Sequence, residues 1–237
     1  MRAHTEPRTA PRLELLAWIA SVGAVTAPAL SIREGSSLAA ARARLGAAAR
    51  SGLLKRSCPL SGQATIYTIT PAGLRASAEV DLVPARVTAA NAAHAATCAL
   101  VAAELERRYP GRAVLGEPAL RRLERSAGAC LSCVLADQTG TGLRHRPDLV
   151  ITADASAPVA VEVELTVKAP ARLRRICLAW ARCRCVEGVL YIASPPAERA
   201  LLRAVERTTA GGRVVVVPLA AIVPDAPSTA ARGRSGS

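Results

Sequence analysis

The sequence predicts an α/β chain, α+β overall, in which a helical segment closed by a β-hairpin precedes a mixed sheet flanked by helices. Three observations carry this. Apolar residues recur at helical spacing over residues 11 to 50. Two short β-prone runs then flank a tip holding Pro59 and Gly62. From residue 112 onward, short apolar strands alternate with helical patterns. A chain of 237 residues has room for two modest domains, expected at 1–86 and 87–224.

In the first segment, Leu13, Leu16, Ala17, Ile19 and Ala20 mark a helix over 11–22. A second, short helix fits 27–32, where Pro28 is tolerated in a first turn. Ser36 is read as the N-cap of a third helix running to Arg50, with Leu38, Ala41, Leu45 and Ala48 on its inner face and Gly52 as the stop. Its outer face offers Ala40, Ala43 and Ala47 flanked by arginines. Residues 53–57 and 65–69 form the hairpin strands. Three helices and a hairpin make a winged helix-turn-helix. The stretch YTITPAGLRA resembles the strand-turn-helix that closes the wing in MarR-type and related domains.

An Ala-rich helix over 87–109 is expected to lead into the second segment and to end at Pro110-Gly111. Strands are expected at 112–115, 130–136, 147–152, 158–167, 187–193 and 213–218, with helices at 117–126, 170–185 and 195–209. Residues 225–237 read as a disordered tail.

The formal net charge is +13, +6 over residues 1–86 and +7 over 87–237, and comes almost wholly from Arg, because Lys55 and Lys168 are the only lysines. Such an excess favours polyanionic partners, DNA above all. Arg42, Arg44, Arg50, Lys55 and Arg56 of the first segment, with Arg172 and Arg175 of the second, are the expected DNA contacts. Alanines on the third helix touch thymine methyls but make no bidentate bonds to base edges, so phosphate contact outweighs base reading. A protein-interaction or dimerisation role is the alternative for this segment. Neither GxGxxG nor GxxxxGK[ST] occurs, which disfavours a nucleotide cofactor. No apolar run reaches the ~20 residues needed to span a bilayer, and no apolar signal region opens the chain, so a reduced cytoplasmic location is expected.

The chemistry concentrates in PVAVEVELTVK, residues 158–168. In a strand, Val161, Val163 and Leu165 share one face and Glu162, Glu164 and Lys168 the other, the two glutamates roughly 6 to 7 Å apart at Cα. Asp148 opens the preceding strand. Three carboxylates, Asp148, Glu162 and Glu164, are then candidate ligands for Mg²⁺ or Mn²⁺. Alternatively, the glutamates line a solvated face and pair with Arg172, Arg174 or Arg175.

RPDLVI followed by VAVEVELTVK, a helix and a strand resembles the core of the PD-(D/E)xK nuclease fold, so the second domain is expected to be restriction-endonuclease-like. The whole order, from the winged helix through VLGEPALRR to these strands, is similar to the replication-relaxation family of plasmids and mobile elements. The resemblance implies a DNA-binding role in replication, relaxation or mobilisation, with Mg²⁺ held by Asp148, Glu162 and Glu164. It also implies contacts with other replication or mobilisation proteins, and a homodimer is a further expected partner. Asp148 and Glu162 match the acidic positions of the nuclease motif. Glu164 stands where the motif has Lys, and Lys168, roughly 13 Å away if the strand stays extended, must bend back from the strand end to be the substitute that stabilises charge. The departure leaves a degenerate, non-hydrolysing site open. A winged-helix transcriptional regulator with an α/β dimerisation or sensor domain is the alternative reading of the chain.

Cys130, Cys133, Cys183 and Cys185 invite a zinc site, but a strand and a helix are poor carriers for CxxC and CxC pairs, so zinc is disfavoured and buried packing preferred. His145 is read as a neutral loop residue, with phosphate contact or assistance in proton transfer as the alternatives, and His94 as a helix residue near the contact between domains.

Overall fold

The computed structural model describes residues 10–126, 131–135, 143–153, 156–208 and 210–224. Among these, helices and strands alternate as α1 (Ala10–Val22), β1 (Ala24–Thr26), α2 (Ala27–Glu34), α3 (Leu38–Arg50), β2 (Leu54–Ser57), β3 (Ile66–Ile69) and α4 (Pro71–Ala76). After a turn come α5 (Ala92–Arg108), β4 (Ala113–Gly116), α6 (Glu117–Ser126), β5 (Cys133–Leu135), β6 (Leu143–His145), β7 (Leu149–Ala153), β8 (Ser156–Glu164), α7 (Pro170–Arg182), β9 (Gly188–Ala193), α8 (Pro195–Glu206), β10 (Val214–Pro218) and α9 (Leu219–Ile222). The chain is thus a mixed α/β protein. None of the described helices is long and apolar enough to cross a membrane.

Local chemistry sets the boundaries. Thr26 caps α2 through its side chain, and Gly35, at φ 60°, ends it in the left-handed region that glycine tolerates. The cap of α3 is Ser37, whose hydroxyl accepts from Ala40 N at 3.2 Å, and not Ser36 as the sequence predicts. Ser36 is taken up by the preceding turn, its N–H donating to Ser31 O. Ala41, Leu45 and Ala48 are buried as expected, whereas Leu38 lies exposed at the first position. Thr70 both caps α4 and donates to Gly52 O and Leu53 O, tying the helix to the hairpin.

The predicted helix over 87–109 starts five residues late, at Ala92. Asn91 explains this: its Oδ1 accepts from Thr88 N and its Nδ2 donates to Arg86 O, which holds 86–91 in a turn. The strand predicted at 158–167 ends at Glu164, and the helix predicted to reach 185 ends at Arg182. The sequence misses β1, β6 and α9. The expected tail at 225–237 lies outside the described residues.

Two sheets organise the molecule. β1, β3 and β2 form an antiparallel sheet with β3 in the centre. The larger sheet has the order β10-β9-β8-β7-β4, antiparallel across β4, β7 and β8 and parallel across β8, β9 and β10. A short β5-β6 ribbon stands beside α7. One face of the large sheet (Leu149, Ile151, Val161, Val163, Ile192) joins α5 and the first three helices in a single buried apolar cluster. The other face (Val150, Ala160, Val189, Tyr191) packs under α7 and α8 around Trp180. Gly116 marks the closest approach between α1 and this sheet, since a Cβ there would lie 2.5 Å from Val22 O.

Candidate functional site

The β7-β8 register pairs Leu149 with Val161 and Val150 with Ala160, which brings Asp148, just before β7, beside Glu162 and Val163 of β8. The charges of Asp148 and Lys168 both bear on the Glu162 carboxyl. To this extent the predicted catalytic residues are brought to one end of the sheet. Each nevertheless has its own partner.

Glu162 is 4% exposed and points under α7. Its Oε1 accepts from His145 Nε2 at 2.7 Å and from Trp180 Nε1 at 3.1 Å. His145 in turn meets the Trp180 ring edge-on, with centroids 6.0 Å apart. Burial pushes the Glu162 carboxyl above its ordinary value, and the His145 bond pulls it partway back. Burial works against the His145 imidazolium, but the bond to Glu162 and its charge outweigh this and raise the histidine. His145 is therefore a strand residue bonded to a buried carboxyl group, and not the loop residue expected from sequence.

Glu164 is paired with Lys168, whose ammonium reaches Glu164 Oε2 directly. The chain leaves the sheet after Glu164, and Lys168 bends back onto it from the strand end. Arg172, Arg174 and Arg175 are not the partners of either glutamate among the described residues.

Asp148 belongs to a third set. Its Oδ2 accepts from Val163 N at 2.8 Å and lies 3.2 Å from His94 Nε2 on α5. His94 Nε2 is also 3.1 Å from Val163 O, an acceptor only, so this nitrogen carries a proton. Cys98, one turn along α5, places Sγ 3.7 Å from His94 Nδ1 and 3.8 Å from Nε2. The hydrogen bond to Asp148 first, then that to Cys98, lifts His94 to about 11 against the opposing effect of burial. Burial pushes the Cys98 thiol to about 11. His94 lines a cleft of about 230 Å³ with Asn91, Cys98, Pro118, Arg146 and Asp148.

The Mg²⁺ that the resemblance implies needs convergent oxygens. Asp148, Glu162 and Glu164 do not form such a set: Glu162 is engaged by His145 and Trp180, and Glu164 by Lys168. The group whose donor atoms all lie within 4.8 Å of one another is His94, Cys98 and Asp148, with nitrogen, sulfur and oxygen donors. The sequence missed His94 and Cys98 as site members. Their i, i+4 spacing on an Ala-rich helix is a local signal that, taken alone, reads as packing.

The expected DNA contacts divide into two groups. Arg42 and Arg50 are exposed on α3, and Lys55 and Arg56 on β2, and none of the four forms an ion pair with the described residues. Arg44 differs, because it is salt-bridged to Glu34 of α2. Arg172 and Arg175 are exposed on α7, and Arg175 borders a separate shallow cleft with Arg174 and Arg207. Of the cysteines read for zinc, Cys133 and Cys183 are buried and Cys185 is exposed, while Cys130 lies outside the described residues.

No family model, curated protein or solved structure matches the chain.

Proposed function

We propose that the protein binds duplex DNA through its N-terminal unit, as a winged helix, and serves replication, relaxation or mobilisation of a plasmid or mobile element. The observation that carries this reading is the set of four exposed cations, Arg42, Arg50, Lys55 and Arg56, on α3 and the hairpin. The order helix, strand, two helices and hairpin, with β3 central, supports a winged helix whose α3 is offered to DNA. The outward alanines favour grip on the phosphates over base recognition.

The second unit supports a nuclease-like core adapted to a non-hydrolytic role. Asp148, just before β7, and Glu162 on β8 lie at the same end of adjacent strands, their side chains turned to α5 and to α7, and a helix and a parallel strand follow. Their bonds to His94, His145 and Trp180 turn those acids to fixing α5, β6 and α7 against the sheet. Fluorescence anisotropy with duplex DNA, run in Mg²⁺ and in EDTA with the same tubes scored on denaturing gels, tests the reading. Binding that is equal in both conditions, with intact DNA, is the expected result. Mg²⁺-dependent cutting abolished by Asp148→Ala would restore hydrolysis, and absence of binding would remove the DNA reading.

A further inference from the structure

We propose that His94, Cys98 and Asp148 form a site for a zinc-class transition-metal ion, with a coordination position open to the cleft beside α5. The donor set is the first reason. Imidazole, thiolate and carboxylate together suit zinc and its neighbours and suit Mg²⁺ poorly. Geometry is the second. A tetrahedral ion with ordinary zinc bond lengths has N···S and N···O edges of about 3.6 Å and about 3.4 Å. Here His94 Nε2 stands 3.8 Å from Cys98 Sγ and 3.2 Å from Asp148 Oδ2. Two of the three donor edges thus match one ion, and since all three donors lie within 4.8 Å of one another a small inward shift closes the third; on binding, the His94 Nε2 proton and the Cys98 thiol proton leave to solvent and the metal takes their place.

The surroundings fit the same reading. His94 and Cys98 sit one turn apart on α5, a rigid helix whose buried face is locked into the core. Val163 N–H donates to Asp148 and holds that carboxylate in orientation, the service an outer partner gives a metal ligand. Both polar contacts of Asp148 end on Oδ2, which leaves Oδ1 as a further donor. Three protein ligands bordering a cleft leave a fourth position for water or a ligand, the pattern of open sites in contrast to closed four-ligand structural ones.

The inference stands apart from the DNA reading and is tested without DNA. Full-length protein, purified in EDTA and then freed of it, is titrated with Co²⁺ and followed by absorption. One ion per chain is expected, with a thiolate-to-cobalt charge-transfer band that is lost in Cys98→Ser and retained in Cys58→Ser and Cys185→Ser. Affinity is expected to fall by more than about tenfold in His94→Gln and Asp148→Asn. A charge-transfer band that survives Cys98→Ser, or no such band from folded wild-type protein, overturns the proposal. X-ray absorption of zinc-loaded wild type needs no variant: one sulfur among nitrogen and oxygen neighbours supports the site, and a shell of four sulfurs or of oxygens alone overturns it.

Discussion

Glu162 is a buried carboxylate stabilised by donors that come from far along the chain. The alternation of PVAVEVELTVK is enough to place it on the face opposite Val161 and Val163, and the structure buries that face under α7. Its partners were not legible, because His145 and Trp180 reach it only once β6 and α7 have packed. Removing the acid strands both donors: Glu162→Ala is expected to cost about 3 kcal/mol, since each orphaned buried group costs about 1–3 kcal/mol. A lower urea midpoint at unchanged slope would show it. Glu124 gives the pH prediction. Burial raises its carboxyl, but bonds from Ser132 and Arg146 outweigh that and hold it below the ordinary 4.5. Its stabilisation is therefore present above the ordinary glutamate pKa and is lost as pH falls through the lower folded value. Glu124→Gln is expected to lower stability at neutral pH and to flatten the acid limb of a stability profile measured by urea unfolding from pH 7 to pH 3. An unchanged acid limb would contradict the assignment.

At the scale of elements, helices and strands with strong local patterns were legible, and those defined by long-range contact were not. The segments at 117–126 and 170–182 announce themselves by periodicity. β1 is three residues long and exists because β3 pairs with it, so no sequence window reveals it. The one-residue shift from Ser36 to Ser37 at the start of α3, and the late start of α5 at Ala92, both arise from side chains bonding nearby backbone. The end of β8 at Glu164 is what puts Lys168 on that glutamate. Gly116 has no room for a side chain. Its strand runs so close to the end of α1 that Gly116→Ala must push backbone against backbone, at an expected cost of about 1–3 kcal/mol. Gly111→Ala provides no such contact test, because φ 84° strains it by a different route. Thr70→Ala, which removes a cap and two bonds to the hairpin, is expected to cost about 1 kcal/mol or more. Chemical denaturation reads both.

Across the whole molecule, a single apolar cluster runs from α1 to α3 through α5 to one face of the large sheet. The N-terminal unit is thereby held against the α/β unit that carries the acidic residues and the His94 cluster. The excess of positive charge, visible in composition alone, acquires a location in Arg42, Arg50, Lys55 and Arg56 and loses Arg44 to an internal salt bridge. The His94, Cys98 and Asp148 cluster was the least legible part, since it depends on α5 approaching a residue 54 positions away in the chain. The most direct test of the account is the salt dependence of duplex-DNA affinity for wild type against the variant carrying Arg42→Ala, Arg50→Ala, Lys55→Ala and Arg56→Ala. The logarithmic slope is expected to shrink by about 3 to 4 as those phosphate contacts disappear. An identical slope in the two proteins, or wild-type affinity indifferent to salt, would contradict it.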